Sequence, residues 1–554
     1  MVIARKIPAM PVVNLVVVSG VILAAALAGA LYAFHAGEDV NWDWQNYHDY
    51  AGFALLHGRF DVDVAPGGFQ SYLNPLVYLL PYLARHGLSA PWWGIVLGAL
   101  HGLNLALIYW TARNLLGRTE SPVGPLAAVV IAASGPMTLS EVGTSFADIL
   151  TALPIVAGVA LLFAGDDQGQ KPGRAPAQAR RLVIAGLLIG AATGLKLTNA
   201  VFLIGAGISL LLMMRPLPAL LCFGMGSGLG MLATGGAWAF RLWRDFGSPL
   251  FPFYNTIFHA NEAPVESIVD TRFMPHGLLD ALAYPFYWLV GKHPSSEWSF
   301  RDPRFALVIV LMLLVLGASI WRRRELLGRK DRRLLFFFWG SYIPWLVAFA
   351  IQRYAIVLEL LSAPLIVLLL TRLIEAWHGE SDAQRTTSSR RLQLATIAVA
   401  LATTLWSEPT DWMRRPWSDP YRPQLAEALQ IPATFLLLQK PLGYVVPLLP
   451  EGSRAYQISD VVLPVVPGGV LDRRIRAGLA QPLPGGLWAL YFAESLEGNP
   501  LRLDLLDTYD LKIDPDRACL RIPGADRIDV TACQLIPLAS KASTAELNPA
   551  APRN

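Results

Sequence analysis

Asn41-Trp42-Asp43-Trp44-Gln45-Asn46-Tyr47-His48-Asp49-Tyr50 follows closely on an uncharged apolar run, Val12 to Phe34. That run is long enough to cross a bilayer, which takes about 20 apolar residues. Arg5 and Lys6 precede it, so the positive-inside bias holds the N-terminus in the cytoplasm and delivers the acidic-aromatic cluster to the other side. A carboxylate between two tryptophans at a membrane surface suits an enzyme that acts on a polar head group carried by a lipid. No small-residue cleavage site follows a short apolar core, so the run reads as a signal anchor.

The rest of the chain agrees with this first span. Of its 554 residues 54% are hydrophobic and only 16% charged, against about 25% charged in a typical soluble protein. A polytopic α-helical membrane protein is the class that accommodates such a composition. The net charge of +4 comes from arginines and lysines gathered in a few loops, so it reports orientation and argues against nucleic acid as a partner.

Arg113, Arg118, the run Lys171 to Arg181, Arg215, the cluster Arg322 to Arg333 and the segment Arg372 to Arg391 mark the cytoplasmic side. Spans over 12–34, 91–112, 124–140, 148–164, 182–195, 197–214, 217–240, 303–321, 334–351, 354–373 and 392–406 satisfy that marking, about eleven crossings in all. Residues 70–84 and 276–291 are then interfacial helices. The glycines from Gly224 to Gly230 and at Gly235-Gly236 read as close helix packing.

Two parts are expected: a transmembrane domain over residues 1–406, with a first outer loop at 35–90, and a periplasmic α/β domain over 407–554 ending in a disordered tail. In the second part 432–438 and 487–493 are strand-length apolar runs, Pro441 to Leu449 a short helix, and 509–522 with 527–537 a closing pair of strands. Cys519 and Cys533 lie in that closing pair, and a periplasmic location permits a disulfide between them. Cys222, in an apolar run, reads as a packing residue.

The outer side collects the unusual polar residues. Asp43 is the leading candidate for a base, since transfer to a hydroxyl needs a group that takes its proton. As a plain juxtamembrane carboxylate it would instead cap or solvate a helix. Tyr47 and Tyr50, four and seven residues on, share a helical face with Asp43; His48 and Asp49 read more readily as solvated surface residues. Glu141 and Asp148 flank the outer ends of two spans, where Asp148 equally serves as a helix cap. Lys196 and Arg353 each sit between two apolar segments and suit a phosphate. Snorkelling is the competing explanation for either alone, but two cations on the side that the positive-inside bias depletes are less expected. Arg241, Arg244 and Arg272 are further cations there. His101 and Asn104, inside a span, read first as helix-packing residues. The sequence has no glycine-rich phosphate loop after a strand, no Cys-x-x-Cys and no His-Glu-x-x-His, and no cofactor is expected.

The order and sidedness of these residues resemble the GT-C superfamily of integral-membrane glycosyltransferases, which use polyprenyl-phosphate-linked sugars. The resemblance runs over about residues 12–406: Asp43 in the first outer loop, Leu55-Leu56-His57-Gly58-Arg59, Leu73-Asn74-Pro75-Leu76, Ala112 to Arg118, Ser145-Phe146-Ala147-Asp148, Gly194-Leu195-Lys196, and Arg353-Tyr354 before a span containing Pro364. It implies inverting transfer at the outer face of a bacterial inner membrane to an envelope glycan, lipid or protein acceptor. Asp43 would be the base, and Lys196, Arg353 and Arg241 would steady the donor phosphate. Trp42, Gln45, Asn46, Tyr47, His48, Asn74, Glu141, Asp148 and Tyr354 would line the substrate cavity. Asn74-Pro75 replaces the Lys/Arg-Pro-Pro motif of some members, and the first loop lacks the Asp-Glu or Glu-x-Asp doublet of several families, so the resemblance assigns no subfamily, sugar or metal. The competing reading is a transporter or flippase, or a non-catalytic binder, of a lipid-linked saccharide. Transporters often carry inverted repeats and midplane polar sites, whereas here no repeat is seen and the polar residues gather at one face.

Overall fold

The computed structural model describes residues 12–117, 121–164, 175–266, 268–377, 382–418, 421, 423–494, 500–525 and 528–538. Along the chain the helices are α1 (Val12–Ala36), α2 (Asp49–His57), α3 (Leu79–Gly87), α4 (Trp92–Leu116), α5 (Val123–Ala133), α6 (Pro136–Glu141), α7 (Ala147–Phe163), α8 (Ala175–Leu195), α9 (Ala200–Leu211), α10 (Pro216–Phe246), α11 (Asn255–Phe258), α12 (Leu278–Leu289), α13 (Arg304–Arg322), α14 (Arg329–Ala348), α15 (Ile356–Ala376), α16 (Asp382–Trp406) and α17 (Val470–Leu479). The strands are β1 (Glu38–Asp39), β2 (Arg414–Arg415), β3 (Thr434–Leu437), β4 (Arg454–Gln457), β5 (Leu487–Phe492), β6 (Leu511–Ile513), β7 (Leu520–Ile522) and β8 (Val530–Pro537).

Two compact units arise. One comprises Met1–Trp44, Leu73–His259 and Glu266–Pro420; the other comprises Gln45–Tyr72, Ala260–Val265 and Tyr421–Asn554. The break in apolar periodicity at Trp406 therefore does not coincide with the division by contacts. Residues 407–420 stay with the helical unit, and Gln45–Tyr72, from the loop expected after the first span, belongs to the second unit.

In the helical unit Val16–Ala36, Trp92–Leu116, Pro216–Phe246, Arg304–Arg322 and Gln352–Ala376 are long and apolar enough to cross a membrane, with shorter apolar helices at Val123–Ala133, Ala147–Phe163 and Leu197–Leu211. The span expected at 124–140 is broken: α5 stops at Ala133 and α6 starts at Pro136. Pro136 has no N–H to continue the helix, and it suits a first helical position. The new N-terminus is satisfied from α15, where the Glu359 carboxylate accepts from the Met137 N–H (3.0 Å), the Thr138 N–H (2.8 Å) and the Thr138 hydroxyl (2.6 Å). α3 and α12 have only 9 and 12 residues, too few to cross, and α12 turns Leu278, Leu279, Leu282 and Phe286 outward.

Glycines allow the tightest helix contacts. A Cβ on Gly190 would lie 2.2 Å from the Ser227 carbonyl oxygen, and those on Gly226 and Gly230 would lie 2.1 and 2.2 Å from carbonyls of α8. Gly224 and Gly228, on another side of α10, meet nothing. Close packing is thus the job of one small-residue stripe rather than of the whole run.

The second unit is built on a sheet in the order β4-β3-β5-β8-β6, with β7 also paired to β8. β3 pairs parallel with β4 and β5, and its four residues are buried throughout, which is why Thr-Phe-Leu-Leu reads as a continuous run without alternation. Parallel pairing requires crossovers: the 3-10 helix Gly443–Leu448, within the stretch expected as a short helix, lies between β3 and β4, and α17 lies between β4 and β5; β4 and α17 were not foreseen from the pattern. Val64 bridges in parallel to Tyr456 on the open edge of β4, its N–H donating to the Ala455 carbonyl and its carbonyl accepting from the Gln457 N–H, each at 2.9 Å, so a piece of the chain between α2 and α3 covers that edge. Asp63 fastens it: its carboxylate accepts from Arg59 (2.7 Å), the Ala455 N–H (2.9 Å) and the Tyr50 hydroxyl (3.4 Å).

The strand expected over 509–522 is two strands, β6 and β7, that occupy successive halves of one edge of β8. Pro515 and the Asp514 carboxylate, which accepts from the Asp516 N–H at 3.0 Å, make a turn between them. One step beyond the Leu520–Ala532 pair Cys519 faces Cys533, with Cα atoms 4.3 Å apart, and the two are disulfide-bonded. Cys222 is free. Thiol labelling of denatured protein is expected to detect one cysteine before reduction and three after it. Replacing the Cys519–Cys533 pair by alanines is expected to cost the domain about 3 kcal/mol, the chain-entropy value for a loop of about 15 residues, measurable by urea unfolding followed through limited proteolysis. The tail expected to be disordered lies outside the described residues.

Candidate active site

Three separate connections in the helical unit deliver the charged residues. The first is the loop after α1. Asp39 Oδ2 accepts from the Ser145 N–H (2.8 Å) and hydroxyl (2.9 Å), while its Oδ1 accepts from Asn41 Nδ2 (2.6 Å). Asn41 Oδ1 in turn accepts from the Trp44 N–H at 2.8 Å. Arg85 lies 3.8 Å from the Trp44 ring centre and 4.6 Å from that of Trp93, and donates to Glu38 (2.8 Å) and to the Asp39 carbonyl (2.8 Å). Asp43 therefore sits on a loop pinned at both sides.

The second connection is α6 to α7. Asp148 does not cap α7. Phe146 holds the N-cap position, and Glu141 reaches across the turn to accept from the Ile149 N–H at 3.0 Å. Asp148 is thereby left for Lys196, whose Nζ donates to Oδ1 at 2.6 Å. Glu141 Oε1 and Asp148 Oδ2 are buried without a hydrogen-bond partner. The third is the 3-10 turn Gln352–Ala355 between α14 and α15, held by the Gln352 N–H on the Ser295 carbonyl (2.8 Å). It carries Arg353, which donates to the Asp43 carboxylate.

Two ion pairs, Asp43–Arg353 and Asp148–Lys196, result, and they share one ring: Lys196 Nζ is 4.4 Å and Arg353 Cζ 5.6 Å from the centre of Tyr354. Phe146 and Trp412 stand 5.2 and 5.7 Å from the same guanidinium. Such a cluster offers two cations to an anionic group and two carboxylates to a hydroxyl proton.

Asn74 acts at a distance from this cluster's charges. It caps the following 3-10 turn and donates to the carbonyls of Gly194 (2.8 Å) and Thr234 (2.9 Å), fixing the end of α8 from which Lys196 projects. Arg241 pairs with Asp245 one turn along α10, at 3.6 Å. Trp42 is exposed. Gln45, Asn46, Tyr47 and His48 belong to the second unit. Asn46 there donates to the Gly67 carbonyl (3.0 Å) and to Gln70 (3.2 Å). His48 and Asp49 are buried, not solvated as their residue types suggested. Nor do Tyr47 and Tyr50 follow Asp43 along a regular helical face: Trp44–His48 is a π turn, whose wider spiral breaks the four- and seven-residue spacing. His101 Nδ1 accepts from the Gly143 N–H (3.1 Å), and Asn104 donates to the Ile149 carbonyl (3.2 Å), both as helix-packing residues. Sequence reasoning missed Asp39, Arg85 and Trp412, and it quoted Phe146 within Ser145-Phe146-Ala147-Asp148 without a role. The adjacent carboxylates Glu38-Asp39 at the end of an apolar span were the available signal. Among the described residues no group of three or more His, Cys, Asp or Glu side chains is arranged to hold a metal ion.

The model of glycosyltransferase family 87 matches residues 72–349. The chain belongs to glycosyltransferase family 87. It is a GT-C glycosyltransferase and an integral membrane protein. The family 87 match takes in Asn74, Glu141, Asp148 and Lys196; Asp43 precedes it and Arg353 follows it. No curated protein matches the sequence. Among solved structures, ArnT from Cupriavidus metallidurans bound to undecaprenyl phosphate is similar at 11% identity and a TM-score of 0.50, covering 94% of this chain and 98% of that one. The same enzyme in the apo state gives the same figures. The Archaeoglobus fulgidus oligosaccharyltransferase in the apo form is similar at 12% identity and a TM-score of 0.44, over 86% of this chain and 69% of that one. At these identities the likeness is one of fold.

Burial, and after it the neighbouring Asp148 carboxylate, pushes the Glu141 carboxyl well above its ordinary 4.5, against the pull of Lys196 and Arg353. A raised acid favours its neutral form in the fold. Its contribution to stability is complete below the unfolded value and is lost as pH rises through the folded one. Glu141→Gln cannot ionise, so its stability is expected to fall less with rising pH than that of the parent, with the two similar in acid. Thermal unfolding of the purified proteins across pH reads this directly, and parallel curves would refute it.

Proposed function

We propose that this family 87 enzyme transfers a sugar from a polyprenyl-phosphate-linked donor to a glycan, lipid or protein acceptor of the cell envelope, with inversion, at the periplasmic face of a bacterial inner membrane. The reading is carried by one observation: Asp43, Arg353, Lys196 and Asp148, far apart in sequence, form two ion pairs around one tyrosine ring. The undecaprenyl phosphate bound by the Cupriavidus enzyme of similar fold supports the donor class.

In this mechanism Asp43 takes the proton of the acceptor hydroxyl as its oxygen attacks the anomeric carbon. The bond from that carbon to the phosphate oxygen breaks, and its electron pair leaves with the polyprenyl phosphate. Attack opposite the leaving group inverts the centre. Arg353 and Lys196 meet the phosphate, where preorganised charge acts most strongly on the transition state. The C-terminal part, residues 407–554, is periplasmic and engages the acceptor.

The test is a transfer assay on the full chain in nanodiscs, supplied in turn with polyprenyl-phosphate sugars and nucleotide sugars. Mass spectrometry of lipid-linked and envelope glycans with and without the gene identifies the sugar to supply. Release of polyprenyl phosphate from the matching donor is expected. Transfer from nucleotide sugars, with none from lipid-linked ones, would refute the reading.

A further inference from the structure

We infer that in the empty enzyme Asp43 occupies on Arg353 the place of the donor phosphate, and that the donor, by taking Arg353 over, frees Asp43 to act as base. The inference rests on the reading of Arg353 as a donor-phosphate cation.

Carboxylate and phosphate are alternative partners for the same guanidinium fork, each binding it through charge-assisted hydrogen bonds. The fork itself is held in place. Phe146, Tyr354 and Trp412 stand around it at 5.2, 5.6 and 5.7 Å, and the Trp412 indole N–H is tied to the Ser140 hydroxyl at 3.0 Å. Exchange of its partner therefore needs no movement of Arg353. A phosphodiester brings one negative charge, as Asp43 does, so the exchange leaves the charge facing Arg353 unchanged. What changes is Asp43. Paired with a guanidinium, a carboxylate is held in its charged form and accepts a proton poorly; with that guanidinium taken over by a phosphate, it accepts one more readily. Deprotonation of the acceptor is thereby confined to enzyme that already holds a donor. The proton balance is that of the transfer itself: acceptor O–H to Asp43, glycosidic electron pair to the departing phosphate.

Binding of a polyprenyl phosphate to the full chain in nanodiscs tests this without turnover. Asp43→Asn removes the competing charge and keeps the shape, so it is expected to bind the lipid about tenfold more tightly than the parent, a coupling of ordinary size. Asp43→Ala serves as a second variant with the same expectation. Arg353→Ala is expected to bind weakly, and Asp43→Asn added to it to bring no further gain. Equal or weaker binding by both Asp43 variants, or a gain that persists without Arg353, would overturn the exchange. The role of Asp43 as base is read separately, in the transfer assay: an Asp43→Asn enzyme that binds more tightly yet still transfers sugar would defeat the proposed function and leave the competition at Arg353 standing.

Discussion

Asp43→Asn is expected to abolish sugar transfer, lowering the rate by about 10³-fold, within the range of general-base contributions, while the protein stays inserted and folded. Asparagine fills the same volume and still accepts a hydrogen bond from Arg353, so the pinned loop of Asp39, Asn41 and Trp44 has no reason to move. What it lacks is a site for the acceptor's proton. The measurement is transfer of labelled sugar, alongside thermal unfolding to show the fold intact. Full activity in this variant would remove the central claim. Asp148→Asn is the informative companion, because Asp148 is held by Lys196 rather than Arg353. A larger loss there than at Asp43 would move the base to the second pair.

The helices were legible because a bilayer imposes one rule on every span: length and apolarity together. The expected spans fall on helices except 124–140, which is two, and the reading of the sequence had not used Pro136 to place that break. The sheet was partly legible. β3 and β5 lie in apolar runs, and β8 is long with its apolar residues interrupted by Thr531 and Gln534, but β4, Arg-Ala-Tyr-Gln, carries its identity in its neighbours and not in its own pattern. The recruitment of Val64 to its edge is a contact across 392 residues, and no local signal encodes it.

The site divides in the same way. Sidedness pointed to Lys196 and Arg353 because two cations on the expected outer face work against a known bias, whereas Asp43 was singled out as a carboxylate able to take a hydroxyl proton. It does not say toward which neighbour a side chain on that face turns: Arg241, for one, forms an ion pair with Asp245 on its own helix. The capping of α7 was misread for a related reason. Asp148 looked like a local cap, whereas Glu141 reaches the same helix end from seven residues before Asp148 and leaves Asp148 for Lys196. Tyr47 and Tyr50 were placed by α-helical spacing, which the π turn over Trp44–His48 does not keep. Propensity gives a turn no warning of that kind when tertiary contacts set its pitch.

Lys196→Ala is expected to raise the KM for the donor and lower kcat by about 10²–10³-fold, the usual loss for one preorganised charge at a developing anion, with the KM for the acceptor little changed. A donor phosphodiester carries one negative charge, but the departing polyprenyl phosphate is a monoester, which ionises a second time near pH 6. One cation balances the first charge; the second appears only as the glycosidic bond breaks. Interactions that strengthen in that step lower the barrier, whereas those equal in both states only tighten binding. Lys196 flanks the same Tyr354 ring as Arg353 and is the cation available for that second charge. Its removal also leaves the Asp148 carboxylate buried beside Glu141 with no counter-ion from Lys196, so a repulsive charge now faces the phosphate. Lys196→Ala combined with Asp148→Asn removes that repulsion. The double variant is therefore expected to recover much of the donor KM and little of kcat, because the cation is still missing when the second charge forms. Unchanged kcat in Lys196→Ala would take Lys196 out of the transition state, and a double variant no better than the single one in donor KM would show that the Asp148 charge never reaches the phosphate.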